Sequence, residues 1–235
     1  MTQHSKRYVE VAEKVDRSKH YLVEEALELA KETATAKFDE TVEAHLRMAV
    51  NPAKAEQQIR GTVVLPHGTG KVPRVVVFAE GEGAKQALDA GADRVGGEDL
   101  VAEIDAGWEE FDILVAQPGM MKAVGRLGKK LGPRMPSKKG GTVDLDVAGI
   151  VKALKSGRVE FRLDRGGVIH APIGRVSFTN EQLLENFFSL IDAIQVARPG
   201  GISGRYIKTI VLCTSMGPGL RLDVEKATAA AAKAV

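Results

Sequence analysis

Two kinds of strand pattern follow one another along the chain, and their order constrains the fold more than any other feature of the sequence. In residues 41–48 apolar and polar side chains alternate, which predicts a strand with one buried and one wet face. Val75–Phe78 is wholly apolar, as expected for a strand in a sheet that is covered on both faces. After Gly157 the alternating kind returns. We therefore predict one kind of domain at both chain ends and another kind inserted between them.

Segments rich in glycine and proline mark the two passages between these regions. Residues 66–70 read Pro-His-Gly-Thr-Gly, a composition that suits a hinge, and Ser156-Gly157 stands at the second passage. Between them, short strands alternate with helical segments, which is typical of parallel βαβ units. We expect an α+β outer domain formed by both chain ends, residues 1–66 and 158–235. A Rossmann-like, three-layer α/β inner domain, residues 67–157, is inserted in it. Relative motion of the two is the default expectation.

The remaining elements follow from spacing and from local capping signals. Apolar periodicity predicts helices over 5–15, 22–30, 84–90, 99–105 and 147–155, and strands over 61–65, 94–95, 113–115, 159–163, 168–171 and 207–213. The segment Asp-Arg-Gly-Gly at 164–167 is typical of a hairpin turn between its flanking strands. Thr179 and Gln182 have the spacing of a capping box that opens a long helix. The alanine-rich tail after Asp223 is either a frayed helix or disordered.

Composition predicts a globular protein of a reducing compartment. Hydrophobic residues make up 44% of the 235, and the single cysteine, Cys213, cannot form an internal disulfide. The first residues lack the apolar core of a signal peptide. No apolar run approaches the ~18–20 residues that a membrane helix requires. We expect a soluble, cytoplasmic protein without a membrane partner.

The distribution of charge says more than the net charge of +2. Residues 80–112 contain eleven acidic residues and two basic ones, whereas residues 113–143 contain no acid. The basic residues of that second stretch are Lys122, Arg126, Lys129, Lys130, Arg134, Lys138 and Lys139. Another acid-free stretch, 193–222, contains Arg198, Arg205, Lys208 and Arg221. Such clusters favour a polyanionic partner. The alternative is a merely solvated surface.

Nucleotide-binding motifs are incomplete in this sequence. The Gly-Lys pair at 70–71 lacks the glycine at position 65 and the serine or threonine at position 72 that a P-loop requires. The Gly-Glu-Gly at 81–83 has Gln86 where a dinucleotide-binding fingerprint has its third glycine. Both motifs therefore fail, and they do not favour nucleotide-dependent catalysis. An α/β nucleotide-dependent enzyme remains the rival hypothesis, and binding of ATP or NAD would support it. A protein-only scaffold is a third hypothesis, and nuclease treatment would not release it from its complex.

Catalytic and metal-binding patterns are also missing. The five histidines are scattered, and none is paired with another histidine or a cysteine at ligand spacing along the chain. Cys213 ends an apolar, strand-like run, which favours a buried structural thiol over a nucleophile. No serine lies in a Gly-x-Ser-x-Gly elbow. We predict no enzymatic activity, no metal and no cofactor.

Three features favour binding to RNA. Lys37-Phe38 places an aromatic ring beside a cation in a polar context, where the ring could stack on a base. The alternative is that Phe38 covers an edge of the core. At 214–218 the hydroxyls of Thr214 and Ser215 and the amides around Met216 and Gly217 follow a strand and could face sugar and phosphate groups. The alternative is an ordinary strand exit. The basic, glycine-rich stretch 122–139 could follow a phosphate backbone closely.

Taken together, these segments resemble the bacterial large-subunit ribosomal protein L-one family, over roughly residues 5–222. The similar segments, in chain order, are AKFDETV at 36–42, IRGTVVLPHGTGK at 59–71, GADRVG at 91–96, LGPR at 131–134, IHAPIG at 169–174 and TSMGP at 214–218. The second and last segments are specific, and the order of all six agrees with that family.

The resemblance implies the two-domain architecture and a set of partners. It implies direct binding to large-subunit rRNA at a mobile stalk beside the exit site, where release of tRNA is assisted. It also implies repression of translation of the protein's own operon through an mRNA that mimics the rRNA site. The free protein is expected to be a monomer. By matching position, the RNA-binding residues are Lys37, Phe38, Thr41, Thr209, Ser215, Met216 and Gly217.

Two positions depart from the family pattern. Arg134 runs directly into Met135-Pro136, where the family usually has two further residues, so the local loop shape and any RNA contact there are in doubt. Ser215 stands where threonine is common, which keeps the hydroxyl and removes a methyl group.

Overall fold

The computed structural model describes residues 5–138, 140–200, 202 and 204–234. The strands are β1 Thr41–Met48, β2 Arg60–Val64, β3 Val75–Phe78, β4 Arg94–Gly96, β5 Ile113–Ala116, β6 Arg158–Arg162, β7 Val168–Arg175, β8 Ile207–Thr214 and β9 Leu220–Arg221. The α-helices are α1 Lys6–Ala12, α2 Val23–Thr33, α3 Glu82–Asp89, α4 Glu98–Asp105, α5 Met121–Val124, α6 Gly128–Leu131, α7 Val147–Lys155, α8 Asn180–Val196 and α9 Val224–Ala234. None of the helices in these described ranges is long and apolar enough to cross a membrane.

Packing divides the chain into two units. Met1–Gly70 and Gly157–Val235 form one, here called the terminal unit, and Lys71–Ser156 form the other, the inserted unit. At the second crossing only glycine fits, because Gly157 has a φ of +97° and a Cβ there would lie 2.3 Å from the Cα of Gly68.

A four-stranded antiparallel sheet, in the order β7-β1-β8-β9, is the centre of the terminal unit. Side chains on β1 alternate between buried and more exposed positions along its whole length, which confirms the prediction from the alternating pattern. The buried face packs against α2, α8 and α9 in one core that includes Leu27, Leu46 and Phe187. The predicted capping box at the start of α8 is confirmed, since Thr179 and Gln182 each accept a backbone N–H of the other.

The predicted hairpin turn between residues 159–163 and 168–171 is confirmed, because Leu163 and Ile169 form an antiparallel bridge across it, but the longer strands on either side pair elsewhere. The chain does reverse there, and the Asp164 N–H donates to the Val168 carbonyl at 2.9 Å. However, β6 pairs with β2 in a separate two-stranded sheet, whereas β7 pairs with β1. The close fit between Gly61 and Phe161 is one reason for the β2–β6 pair, because a Cβ at position 61 would lie 2.6 Å from the Phe161 ring.

The inserted unit is built on a three-stranded parallel sheet in the order β4-β3-β5. All four residues of β3 are buried, and apolar clusters cover both faces of the sheet. Helices α3 and α7 supply one cluster, with Ala87 and Val151, and α4 and the segment after β5 supply the other, with Ile104 and Val124. The prediction of parallel strands covered on both faces is therefore confirmed.

The basic, glycine-rich segment after β5 is largely helical, which its glycine content did not predict. Residues 118–134 form a series of short helical turns, α5 and α6 alternating with 3-10 turns at Pro118–Met120, Gly125–Leu127 and Gly132–Arg134. The turns form because Val124, Leu127 and Leu131 recur at helical spacing and are buried in the core of the unit.

The alanine-rich tail also has a packing reason for its structure. It forms α9, whose Ala227 and Ala231 are buried, so the helical alternative is the one observed.

Candidate nucleic-acid interface

The pairing of β1 with β8 brings together two loops that are about 175 residues apart in sequence. Val42 lies opposite Thr214, so the loop that enters β1 and the loop that leaves β8 meet at the same end of the sheet. Beyond this pair the Ser215 N–H donates to the Thr41 carbonyl at 3.0 Å, and the Thr41 N–H donates to the Ser215 hydroxyl at 3.1 Å. Thr41 and Ser215 are therefore neighbours.

One buried carboxylate, here called the Glu40 bridge, joins the two loops more firmly. Glu40 is 1% exposed, and its Oε1 accepts the Ala36 N–H at 3.0 Å while its Oε2 accepts the Met216 N–H at 2.9 Å. Sequence reasoning missed this residue. A signal was available, because Glu40 shares the even-numbered positions of the buried residues Val42 and Ala44, where a carboxylate needs a local partner.

The side chains carried by these loops are exposed although several are apolar. Phe38 is 57% exposed and Met216 is 50% exposed, and Lys37, next to Phe38 in sequence, is exposed too. The alternative that Phe38 covers an edge of the core is therefore wrong. Large exposed apolar side chains on a fixed backbone are typical of contact surfaces.

The loop that carries Phe38 is also anchored on its other side. Asp39 accepts the Ser177 N–H at 3.1 Å and the Ser177 hydroxyl at 2.9 Å, and the Arg175 guanidinium donates to the Asp39 carbonyl at 2.9 Å. Because the backbone is held before and after Phe38, ordering this loop upon binding costs little conformational entropy.

The structure separates the predicted residues of β8 and its exit loop. Thr214 is 2% exposed and its hydroxyl has no hydrogen-bond partner among the described residues, so the prediction that it presents this hydroxyl is wrong. The Thr214 side chain lies on the same face of β8 as the buried side chains of Ile210 and Leu212. Gly217 lies against it, since a Cβ there would lie 2.4 Å from the Thr214 hydroxyl oxygen. Thr209 is exposed on β8 but lies five residues before Thr214, or ~17 Å along the strand.

The open face of the four-stranded sheet carries a chain of titratable groups that sequence spacing did not reveal. His45 lies opposite His170, with 2.7 Å between their Nδ1 atoms, and His45 Nε2 lies 3.0 Å from the Cys213 sulfur. His170 Nε2 lies 3.5 Å from the Asp164 carboxylate. His45 and His170 are therefore neighbours in space, because cross-strand pairing joins residues that are far apart in sequence.

The environment of this chain sets its protonation. Burial lowers the pKa of His45, His170 acts in the same direction, and Glu43 opposes them. Burial raises the pKa of the Cys213 thiol to about 11, and Glu43 adds to this. Cys213 is thus a protonated thiol, not a nucleophilic thiolate. Over the part of the chain that the structure describes, no group of His, Cys, Asp or Glu side chains has the arrangement of a metal site.

The basic cluster of the inserted unit is partly neutralised by acids of the same unit. Lys130 lies 2.6 Å from the Asp105 carboxylate, and Arg134 lies 3.1 Å from that of Glu109 while stacking 5.3 Å above the Phe111 ring. At these two positions a phosphate would have to replace an exposed carboxylate, and contact of the stretch with a phosphate backbone stays a prediction. Four other predicted members are exposed and form no ion pair with any described residue: Lys122, Arg126, Lys129 and Lys138. Lys139 lies outside the described residues.

The comparison with known protein families agrees with this picture. The family model that matches is described as the ribosomal protein L1p/L10e family, and it matches residues 30–218. The matched range contains both loops, the Glu40 bridge and the whole inserted unit. Proteins of this family are structural, not enzymatic, and bind rRNA in the large ribosomal subunit. Because the match covers well over half of the sequence, the chain belongs to the ribosomal protein L1p/L10e family.

Proposed function

We propose that this protein binds large-subunit rRNA at the mobile stalk beside the exit site through the surface formed by its two adjoining loops. This loop surface consists of Lys37, Phe38, Thr41, Ser215, Met216 and Gly217, and Thr209 extends it along β8. The observation that carries the proposal is the pair of exposed side chains, Phe38 and Met216, on loops that one buried carboxylate holds together.

The chemistry of the loop surface suits a folded RNA. The Phe38 ring offers a stacking face, and stacking of a base on an aromatic ring is worth ~1–3 kcal/mol. Lys37 supplies a charge for phosphate, and the Ser215 hydroxyl can contact a ribose 2′-hydroxyl. Because both loops are fixed before binding, this surface recognises shape at a low entropic cost.

Two further roles follow from the same surface. Bound to the stalk, the protein assists release of tRNA from the exit site. When free it is a monomer that represses translation of its own ribosomal-protein operon, since an mRNA that mimics the rRNA site competes for the loop surface.

The exposed cations Lys122, Arg126, Lys129 and Lys138 of the inserted unit add electrostatic affinity for RNA. The terminal and inserted units act as the outer and inner domains, and glycines at the two crossings permit their relative motion.

The test compares a Phe38→Ala, Met216→Ala variant with a Val9→Ala, Val64→Ala control in binding to purified large-subunit rRNA at fixed salt. The control removes apolar side chains that are similarly exposed, 45% and 52%. We expect the loop variant to bind ~5- to 150-fold more weakly, the equivalent of 1–3 kcal/mol. The control should bind like the wild type. A folded loop variant with wild-type affinity would refute the proposal.

The finer roles have their own tests. Operon mRNA should displace rRNA from the wild type, and the loop variant should lose affinity for both RNAs together. Exit-site tRNA should dissociate more slowly from ribosomes that lack the protein. Loss of rRNA binding without loss of mRNA binding would show that the two RNAs use different surfaces.

A further inference from the structure

The loop surface does not include the four cations of the second acid-free stretch of the sequence, residues 193–222. These cations lie around two adjoining cavities of the terminal unit, of about 350 and 360 Å³. Arg198 and Arg205 line the first, and Arg205, Lys208 and Arg221 line the second. We call these four exposed residues and the cavities between them the basic groove.

The acids near the groove leave most of its positive charge uncompensated. Glu225 forms an ion pair with Arg205, and both side chains are exposed. Asp223 accepts the backbone N–H groups of Glu225 and Lys226 at the start of α9. Within the described ranges no acidic side chain pairs with Arg198, Lys208 or Arg221. An exposed pair such as Arg205–Glu225 contributes little, so a phosphate could replace Glu225 at that guanidinium.

The first cavity is ordered before any ligand arrives. The Arg198 guanidinium donates to the carbonyls of Ile202 at 2.7 Å and Gly204 at 3.2 Å, and it lies 5.4 Å above the Tyr206 ring. Tyr206 lines this cavity and is only 6% exposed, and its buried hydroxyl has no partner among the described residues. Burial raises the pKa of Tyr206 to about 12, so the hydroxyl keeps its proton. A fixed guanidinium on the wall of this cavity favours an anionic ligand.

The groove is continuous with the proposed RNA surface. Thr209 lines the second cavity and is exposed on β8, the strand that ends at the loop surface. Arg221 lies opposite Val211 and Arg47 lies opposite Thr209, and both arginines are exposed on this open side of the sheet. From Thr209 to Ser215 the distance along the strand is ~20 Å. An RNA held at the loop surface and running along β8 therefore reaches the groove.

We infer that the basic groove is a second RNA contact of this protein, which takes the phosphate backbone of the same rRNA without reading its sequence. The inference rests on the proposed function, since the loop surface fixes where the RNA enters. Phosphate contacts of this kind raise affinity at all sequences and make it depend on salt.

The experiment measures the affinity of the full-length protein for large-subunit rRNA over a range of salt concentrations. The groove variant is Arg198→Gln, Lys208→Gln, Arg221→Gln, which leaves Arg205 with its partner Glu225. The charge-matched control is Lys54→Gln, Arg162→Gln, Arg165→Gln, three exposed cations of the same unit outside the groove. We expect the slope of log affinity against log salt to become shallower by ~0.7–0.9 for each phosphate that is no longer neutralised, or about 2–3 for the groove variant. The control slope should stay near that of the wild type.

The outcomes separate this inference from the proposed function. An unchanged slope in a groove variant that folds would overturn the inference, and so would an equal change in the control. The proposed function survives either result if the Phe38→Ala, Met216→Ala variant still binds weakly. If the triple groove variant fails to fold, Lys208→Gln and Arg221→Gln are measured singly, and each must lower the slope by ~0.7–0.9 for the inference to hold.

Discussion

Glu40 is the residue whose replacement best tests how the loop surface is held. Its carboxylate accepts two backbone N–H groups, one from each loop, and the side chain is 1% exposed. Glu40→Gln keeps one acceptor oxygen and turns the other into an NH2 donor, so one of the two N–H groups loses its partner. The substitution has almost the same volume, and its effect is therefore that of the hydrogen bonds.

The expected loss of stability follows from the burial of those amides. A buried donor that loses its partner costs ~1–3 kcal/mol. The hydrogen bonds of the Ala36 and Met216 amides are only partly buried, which places the cost in the lower part of this range. We therefore expect Glu40→Gln to lower the free energy of unfolding by ~1–2 kcal/mol, and Glu40→Ala to lower it by about twice as much. Urea unfolding of both variants measures this directly.

Loss of the Glu40 bridge and loss of a negative charge are expected to change the affinity for RNA in opposite directions. Once the bridge is broken, Phe38 and Met216 must be ordered upon binding, at ~0.5–1.5 kcal/mol each, which weakens affinity ~5- to 150-fold. Removing a negative charge near RNA would by itself strengthen binding. Glu28→Gln is the control, because it removes the same charge from an exposed position of α2. If Glu40→Gln bound rRNA as tightly as Glu28→Gln, the bridge would have no part in recognition.

Three further predictions concern single positions. Burial lowers the pKa of His45 in the folded protein, so the unfolded chain is protonated first, and Tm should fall as pH drops below about 6.5. This fall should be smaller in His45→Gln, and an equal fall would contradict the assignment. Thr214→Val should keep rRNA affinity and Tm, because the lost hydroxyl has no partner among the described residues, whereas weaker binding would mean that it reaches the RNA. Gly157→Ala, with its φ of +97°, should cost at least ~1–2 kcal/mol in urea unfolding, and Gly200→Ala, which has open space, should cost less.

Elements that depend on local signals could be predicted from the sequence with their bounds. The strand at 41–48 and the strand at 75–78 follow from the periodicity of apolar residues, and both agree with the structure. The start of α8 follows from the Thr179–Gln182 capping box. In these segments the burial of each side chain and the capping of each helix are decided within a few residues.

Features that depend on distant partners could not be predicted. The strand β6 reads like half of a hairpin, but its partner β2 lies about 100 residues earlier in the chain. The pairs Lys130–Asp105 and Arg134–Glu109 neutralise cations that look free in a charge count, because each acid lies 25 residues away. The loop residues Phe38 and Met216 could be named from the resemblance, but the Glu40 bridge that holds their loops required the three-dimensional pairing.

The described hydrogen bonds that shape the loop surface all join residues of the terminal unit. Glu40, Asp39 and Ser215 bond within Met1–Gly70 and Gly157–Val235, and the register of β1 with β8 fixes where the two loops meet. The two-residue departure after Arg134 lies in the inserted unit, where Arg134 contacts Glu109 and Phe111. A change of length there alters contacts of that unit and leaves every described bond of the loop surface in place. The shape of the loop surface is therefore set by the two chain ends, whatever the length of the segment after Arg134.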